Sequence, residues 1–419
     1  MLEREKEFLK ETMSNQYQKI IIGAGPAGLF SAIFAKQKGG KILLLEKNNC
    51  IGKKLAITGK GRCNITNNTS DLKELVSSYK KNGKFLYHAF SEFSVEDTLK
   101  FFNDLGIKTK IERGDRIFPE SDDAYELIEK MYALVKDDIL FNCDVQEILK
   151  DENHILGVKT NKGIFTADKY VIATGGKSYP LTGSNGDGYQ LAKSLGHTII
   201  EPKPALVPIE TKEPWVRELA GLGLKNIRMD IYQNGKKQLS KFGELLFTHT
   251  GISGPIVIDC SREIGNLLEI DSVNVLIDLK PALSYPTLKD RINKDLSEAG
   301  NRAIKNSLSK LLPSSLIPVV IKLSGIDPEE KASQLSKESK NKLLHTLKEL
   351  TLNITEIGDW NSAIVTDGGV DIKEIDPNTM QSKVVDNLYF AGEIIDVYGP
   401  TGGYNLQLCW STGYLAGIS

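Results

Sequence analysis

Apolar residues in this chain fall into short solid runs separated by amphipathic stretches, the texture of buried parallel strands alternating with helices. Ile20-Ile21-Ile22 predicts a buried strand, and the pattern from Pro26 predicts a helix to about Lys38. Gly39-Gly40 predicts the turn, with Gly40 as the left-handed residue after the helix, and Ile42 to Leu45 predicts a second strand. This is a βαβ unit. A polar loop rich in Gly, Lys and Asn is expected from Lys47 to about Ser70. Leu99, Phe102 and Leu105 recur at helical spacing. Ile139 to Phe141 predicts another strand, and residues 145–164 predict a meander turning at Asn161-Lys162-Gly163. Tyr170 to Ala173 predicts a core strand running into Thr174-Gly175-Gly176.

The texture changes near Glu201. Pro202, Pro204 and Pro208 cluster, and short strand-like runs are joined by turns such as Gln233-Asn234-Gly235. A β-rich inserted domain is expected over 197–283 and a helical subdomain over 284–350, interrupted at Pro313, Pro318 and Pro328. The run from Glu329 to Lys342 reads as a solvated helix face. Nucleotide-fold texture returns over 351–419, so a nucleotide-binding domain of 19–196 and 351–419 is expected around the insertion. Residues 1–18 are charged, lack an apolar core segment, and read as a short helix or frayed tail, not a secretory signal.

Composition narrows the class. A chain of 419 residues, 40% hydrophobic and 26% charged, is a globular protein too long for one ordinary core. No apolar run approaches the roughly 20 residues of a membrane-spanning helix. A net charge of -1 gives no reason to expect nucleic acid or a membrane as partner, and a small-molecule substrate is expected instead. The oligomeric state is left open. Five cysteines without C-x-x-C spacing fit a reducing cytoplasm better than disulfides or a metal site.

Candidate chemistry lies at both ends of the chain. Gly23, Gly25 and Gly28, with Pro26 and Ala27 between them, match G-x-G-x-x-G after a strand and at a helix start. The first glycine permits the tight turn, the second admits a pyrophosphate, and the third lets helix pack on strand. Glu46 ends the second strand, where a carboxylate grips ribose hydroxyls and opposes a 2′-phosphate. Near the other end, the stretches YFAGE (389–393) and TGGYN (401–405) place Gly392, Glu393, Asp396, Gly402, Gly403, Tyr404 and Asn405 at the start of a last helix. The N–H donors of that helix suit the negative charge that a reduced flavin carries around N1 and the C2 carbonyl. A preorganised donor of this kind is worth roughly 2.7–4 kcal/mol. Glu393 is expected to bind ribityl hydroxyls and Asp396 to orient the loop; the plainer alternative is a flexible helix entry. The pairing of both ends points to an FAD-dependent oxidoreductase.

Between these ends lies the loop GKKLAITGKGRCN (52–64), with Lys54, Gly61, Arg62, Cys63 and Asn64, just after Lys47. It reads either as a cationic strap along a phosphate or flavin edge, or as a solvated basic loop. Cys63 is either redox-active beside the flavin or a small packed residue. Thr174 and Gly175 end a buried strand and suit close ligand approach, or simply a tight turn. Val145 completes the candidate cofactor contacts. His249, within FTHTGISGP (247–255), is either an acid or base facing the flavin or a loop-stabilising residue. No catalytic residue is singled out.

These motifs together resemble a family of bacterial and archaeal flavoproteins that contains the aminoacetone oxidases and the reductases acting on unsaturated bile-acid intermediates. The likeness runs from Lys19 to the end and includes VTDGGVDIKEIDPNTMQSK (365–383). It implies an α/β fold: a two-dinucleotide-binding-type FAD domain similar to glutathione reductase, with an inserted β-barrel and small helical bundle. It also implies FAD contacts at Gly23, Gly25, Gly28, Glu46, Arg62, Asn64, Gly392, Glu393, Gly403 and Asn405. Lys60 departs from the family's usual glycine, and Asp371 from its usual serine.

The expected activity is two-electron hydride transfer through flavin N5, from NAD(P)H or a small-molecule donor to an unsaturated small molecule or oxygen. No second glycine fingerprint marks a nicotinamide domain, so NAD(P)H is expected either to dock transiently beside the flavin as donor or not to bind at all. Three alternatives stand beside it. One is an amine oxidase of the aminoacetone type; another is a flavin-dependent RNA-modifying or RNA-binding protein using the lysines of 329–342. A redox sensor is the third.

Overall fold

The structure is a computed structural model that describes residues 17–79 and 81–419. The tail expected before the first strand lies outside the described residues, except that Tyr17 and Gln18 already belong to that strand. Two compact units emerge among the described residues, one running up to 205 with 360–419, the other of 206–359.

The first unit is built on five strands: β1 (Tyr17–Ile22), β2 (Ile42–Leu45), β3 (Ile139–Leu140), β4 (Ala167–Ile172) and β5 (Leu388–Phe390). They lie in the order β5-β4-β1-β2-β3, and every pairing is parallel. Parallel strands are covered on both faces, which is why β1 and β2 are solid aliphatic runs buried throughout their centres. Helix α1 (Pro26–Gln37) follows β1 with proline in its first turn, where the missing N–H costs nothing. Its left-handed end residue is Gly39, not the expected Gly40: Gly39 N bonds Lys36 O and Gly40 N bonds Ala35 O, closing the helix one residue early.

The polar stretch expected as a loop is largely ordered. It folds into α2 (Lys53–Ile57), a 3-10 turn (Thr58–Gly61) and a short strand (Thr66–Asn67) paired with Arg116–Pro119. Residues 145–165 form the expected three-stranded meander. The last helix, α3 (Tyr404–Ile418), is buried along most of its length. Trp410 stacks on Phe30 at 4.5 Å and donates Nε1–H to Ile65 O at 2.9 Å, welding α3 to α1 and to the loop segment.

The insertion begins later than 197 and ends later than 350. The proline-bearing strand Ile199–Ala205 pairs antiparallel with Val365–Val370, with a register shift between Ile200 and Lys203 that accommodates Pro202. Local composition marks prolines as a break; long-range pairing places them in the first unit. Leu350–Ile357, expected to return to the nucleotide domain, instead closes the barrel of the second unit.

That barrel has six strands. Its long hairpin, Gly223–Gln233 with Lys236–Phe247, turns at Asn234 and Gly235, both at positive φ, as the Asn-Gly signal predicts. Three helices (Tyr285–Ala299, Leu316–Leu323, Lys337–Lys348) pack between its last two strands in sequence, the first and third capped by Ser284 and Ser336. The stretch 329–342 has a 3-10 turn at Ala332–Gln334 and is α-helical from Lys337, where Lys342 pairs with Glu338 at 2.8 Å on an exposed face. His249 is exposed, and the motif around it serves the barrel: Phe247 and Ile252 pair across strands and are buried.

Candidate functional site

A cleft of about 1360 Å³, measured to its open mouth, lies beyond the carboxyl ends of β1, β2 and β4. This is where an open parallel sheet leaves a crevice between diverging connections. Of the residues expected at the cofactor, Gly23, Gly25, Pro26, Ala27, Glu46, Lys47, Lys54, Val145, Thr174, Gly175, Glu393 and Asn405 line it. They come from segments at both ends and the middle of the chain.

The first wall is the glycine turn. Gly23 has φ of 101°, and a Cβ there would sit 2.7 Å from Ala173 O. A Cβ on Gly28 would overlap the Gly23 carbonyl, so helix and strand meet there without room for a side chain. Gly25 is different: nothing lies within 4 Å of the position of its Cβ, which faces the cleft. The second wall is the start of α3, capped by Gly403 at φ of 101°. Asn405 accepts from Gly399 N at 2.8 Å and donates to Gly399 O at 2.9 Å, closing the turn before the helix.

Glu46 is buried. Its Oε2 accepts from Ala24 N, and its Oε1 accepts from Asn48 N and Nδ2, all at 2.8 Å. The carboxylate therefore fastens the glycine turn as well as lining the cleft. Lys47 donates to Asp187 at 2.7 Å and Asn185 at 2.8 Å, and Lys53 to Asn48 at 2.9 Å. Across the cleft, Lys54 Nζ donates to Glu393 Oε2 and to Ser178 Oγ, both at 2.6 Å. Glu393 Oε1 accepts from Ser178 Oγ at 2.9 Å and Thr366 N at 2.8 Å. Three of the four acceptor positions of the Glu393 carboxylate are thus taken by protein groups, and one on Oε2 stays open.

The remaining expected residues, Gly28, Gly61, Arg62, Cys63, Asn64, Gly392, Asp396, Gly402, Gly403 and Tyr404, do not line the cleft. Arg62 pairs with Glu112 at 2.8 Å and Asp122 at 3.2 Å, and its guanidinium lies 4.1 Å from the Phe118 ring centre. Cys63 is fully buried, which pushes its thiol up to about 12 and makes it a packed residue, not a thiolate poised for redox work. Asp396 is held by Lys81 at 2.8 Å and by Asn82, and burial raises its carboxyl above the ordinary range. It anchors the segment at Lys81 and Asn82. Gly392 packs on Ala27, and Tyr404 O accepts from Tyr79 OH at 2.6 Å. Ser178 carried no signal in sequence, Thr366 lay unremarked within the 365–383 stretch, and Asn48 stands two residues beyond the strand-ending carboxylate.

The site fits FAD on three counts. The glycine turn leaves open space where a Cβ on Gly25 would stand. Two helix N-termini, of α1 and α3, bring unpaired N–H groups to one cleft. The buried oxygen Thr174 Oγ1, on a residue that lines the cleft, has no hydrogen-bond partner among the described residues, so a ligand could satisfy it without displacing a protein contact.

Fold and cleft together define a Rossmann-type flavoprotein. Comparison with known proteins agrees. Residues 17–419 match the model of the HI0933-like protein Rossmann domain. The chain belongs to this family of flavoproteins, and its class is that of FAD-dependent oxidoreductases. It is 35% identical over 407 residues to the 3-dehydro-bile acid delta(4,6)-reductase of Clostridium scindens, covering 95% of this chain and 97% of that one. It is 31% identical over 408 residues to a ribosomal RNA dihydrouridine synthase of Escherichia coli K12, covering 95% and 96%. The 3-ketosteroid-delta4-(5alpha)-dehydrogenase of Rhodococcus jostii RHA1 shares the fold, with a TM-score of 0.53, 13% identity and 98% of each chain covered. The closed barrel and flavoprotein fold implied by the resemblance are thus both present.

Proposed function

We propose that the protein reduces a carbon–carbon double bond conjugated with a carbonyl group in a small molecule. The observation that carries this is end-to-end similarity to a reductase named for such a bond, combined with a cleft lined by both cofactor-binding segments. A delta(4,6)-reductase of a 3-dehydro substrate and a dihydrouridine synthase share that bond change: each saturates an alkene polarised by a nearby carbonyl.

When bound, FAD supplies the two-electron chemistry. The chain's own residues bind and orient it. The α1 N-terminus and glycine turn take the pyrophosphate, Glu46 stands by the ribose, and the α3 N-terminus supplies donors for negative charge on the ring system. NAD(P)H is the proposed donor, and with no second glycine fingerprint in the sequence it would dock only transiently. The proposed setting is the cytoplasm, consistent with five free cysteines.

The test is anaerobic titration of FAD-loaded protein with NADH and NADPH, followed by a 3-keto-Δ4 or Δ4,6 bile acid. Bleaching by a nicotinamide and recovery of colour with the enone support the reading. Bleaching by an amine alone, with recovery only in oxygen, would instead make it an amine oxidase.

A second reading has its own observation, the similarity to an rRNA dihydrouridine synthase. Here the conjugated bond belongs to a uracil in RNA. The near-neutral charge supports the small molecule over RNA. Recovery of colour with unmodified rRNA, and not with the enone, would reverse that preference.

A further inference from the structure

The triangle of Lys54, Ser178 and Glu393 is drawn from three distant segments of the first unit. Glu393 accepts three donors, two on one oxygen and Lys54 on the other. Lys54 has a proton left over. An ammonium has three protons, and Lys54 spends one on Glu393 and one on Ser178. The third finds no acceptor among the described residues, and Lys54 lines the cleft. The other cations of the lining, Lys47 and Lys53, are tied to Asp187, Asn185 and Asn48 beside Glu46. Lys54 and Glu393 both act electrostatically on Cys409, in the second turn of α3, which places them by that helix.

We propose that Lys54 is a positioning charge for the flavin, a fixed cation that favours the anionic two-electron-reduced form, with Ser178 and Glu393 holding the ammonium against the cleft wall. This rests on the FAD reading and adds the residue that tunes the cofactor. Reduction to that form consumes two electrons and one proton and leaves one net negative charge on the ring. A cation held beside it in a partly water-excluded cleft stabilises the product of reduction over the oxidised form. Ser178, fully buried, takes a second proton of the same ammonium at 2.6 Å and so fixes where the charge stands.

The experiment uses FAD-loaded wild type, Lys54→Met, Lys54→Arg and Ser178→Ala. Flavin content, midpoint potential by dye-coupled reduction, and the affinity for sulfite, which forms an anionic flavin adduct, are measured on each. Lys54→Met is expected to retain FAD, to have a more negative potential, and to bind sulfite at least tenfold more weakly. Lys54→Arg should recover much of both. Unchanged potential and sulfite affinity in FAD-loaded Lys54→Met would overturn the proposal and leave Lys54 a strut. Should Lys54→Met fail to fold or to hold FAD, Ser178→Ala decides: its potential must move in the same direction by less, and an unmoved potential overturns the proposal. Wild-type protein that folds but takes up no FAD would instead overturn the flavin reading itself, and this proposal with it.

Discussion

Ser31 Oγ donates to Gly413 O at 2.9 Å, across 382 positions of sequence, and this bond crosses the contact between α1 and α3. These are the two helices whose N-termini face the cleft. A Cβ on Gly413 would stand 2.5 Å from Ala27 O, and one on Gly417 would stand 2.7 Å from Ser31 O. The small pairs Ala27/Ser31 and Gly413/Gly417 let the two backbones touch, and that closeness sets the spacing of the two halves of the site.

Gly413→Ala should therefore act on both halves at once. Overpacking a close backbone contact costs about 1–3 kcal/mol, and the helices must part to admit the methyl group. The expected result is a lower urea midpoint together with weakened FAD binding. An FAD affinity unchanged alongside lost stability would show that helix spacing does not govern the site.

The glycine turn offers a cleaner separation. Gly28→Ala drives a methyl group into the Gly23 carbonyl and should damage folding and cofactor binding together. Gly25→Ala meets no protein atom within 4 Å, so the fold should stand within about 0.5 kcal/mol of wild type while FAD binding falls at least tenfold. Thermal unfolding of the apoprotein and flavin titration, run on both variants, read the difference.

Lys60, the departure from glycine that the family resemblance implies, has φ of 62°, directly after Gly59 at 57°. A side chain in left-handed backbone costs roughly 1–2 kcal/mol, partly offset by the entropy glycine loses on folding. Lys60→Gly should raise stability by up to about 1 kcal/mol in urea unfolding. A destabilised variant would mean that the lysine side chain contributes more than its backbone costs.

His197 predicts a pH dependence. Its buried ring meets Glu374 at 3.1 Å through Nδ1 and Ser382 Oγ at 2.9 Å through Nε2, with Phe390 edge-on at 4.8 Å. Burial lowers its basicity, outweighing the raising effect of Glu374, while Lys150 lowers it further. The folded protein thus binds this proton less readily than the unfolded chain, whose histidine titrates near ~6.5. The contribution of the neutral ring is fully present above that pH and is lost as pH falls through the lower folded value. Wild type should lose stability between neutrality and the carboxylate range more steeply than His197→Gln. Parallel slopes in urea midpoints measured across that window would count against it.

Much of the architecture was legible beforehand. The solid aliphatic runs of β1 and β2, the glycine turn, the Asn-Gly hairpin and the last helix all rest on local chemistry. Asp371 also makes local sense: its carboxylate accepts from Lys373 N at 3.0 Å, a turn bond that a serine hydroxyl at this position would also make. The errors arose where partners are distant. Ile199–Ala205 reads as a proline-broken connection until Val365–Val370 pairs with it, and Leu350–Ile357 belongs to the barrel only because Val273–Asp278 and Ile209–Thr211 flank it.

The same division runs through the site. Residue order alone determined that each end of the chain carries a glycine-spaced helix start, because turn geometry and helix entry depend on a few neighbouring residues. Only the tertiary structure decided that Glu393 is occupied by Lys54, Ser178 and Thr366, that Arg62 pairs away from the cleft, and that Cys63 is sealed. Hydrogen bonding and burial are set by what arrives from tens to hundreds of positions away, and no local pattern encodes which donor reaches a given carboxylate first.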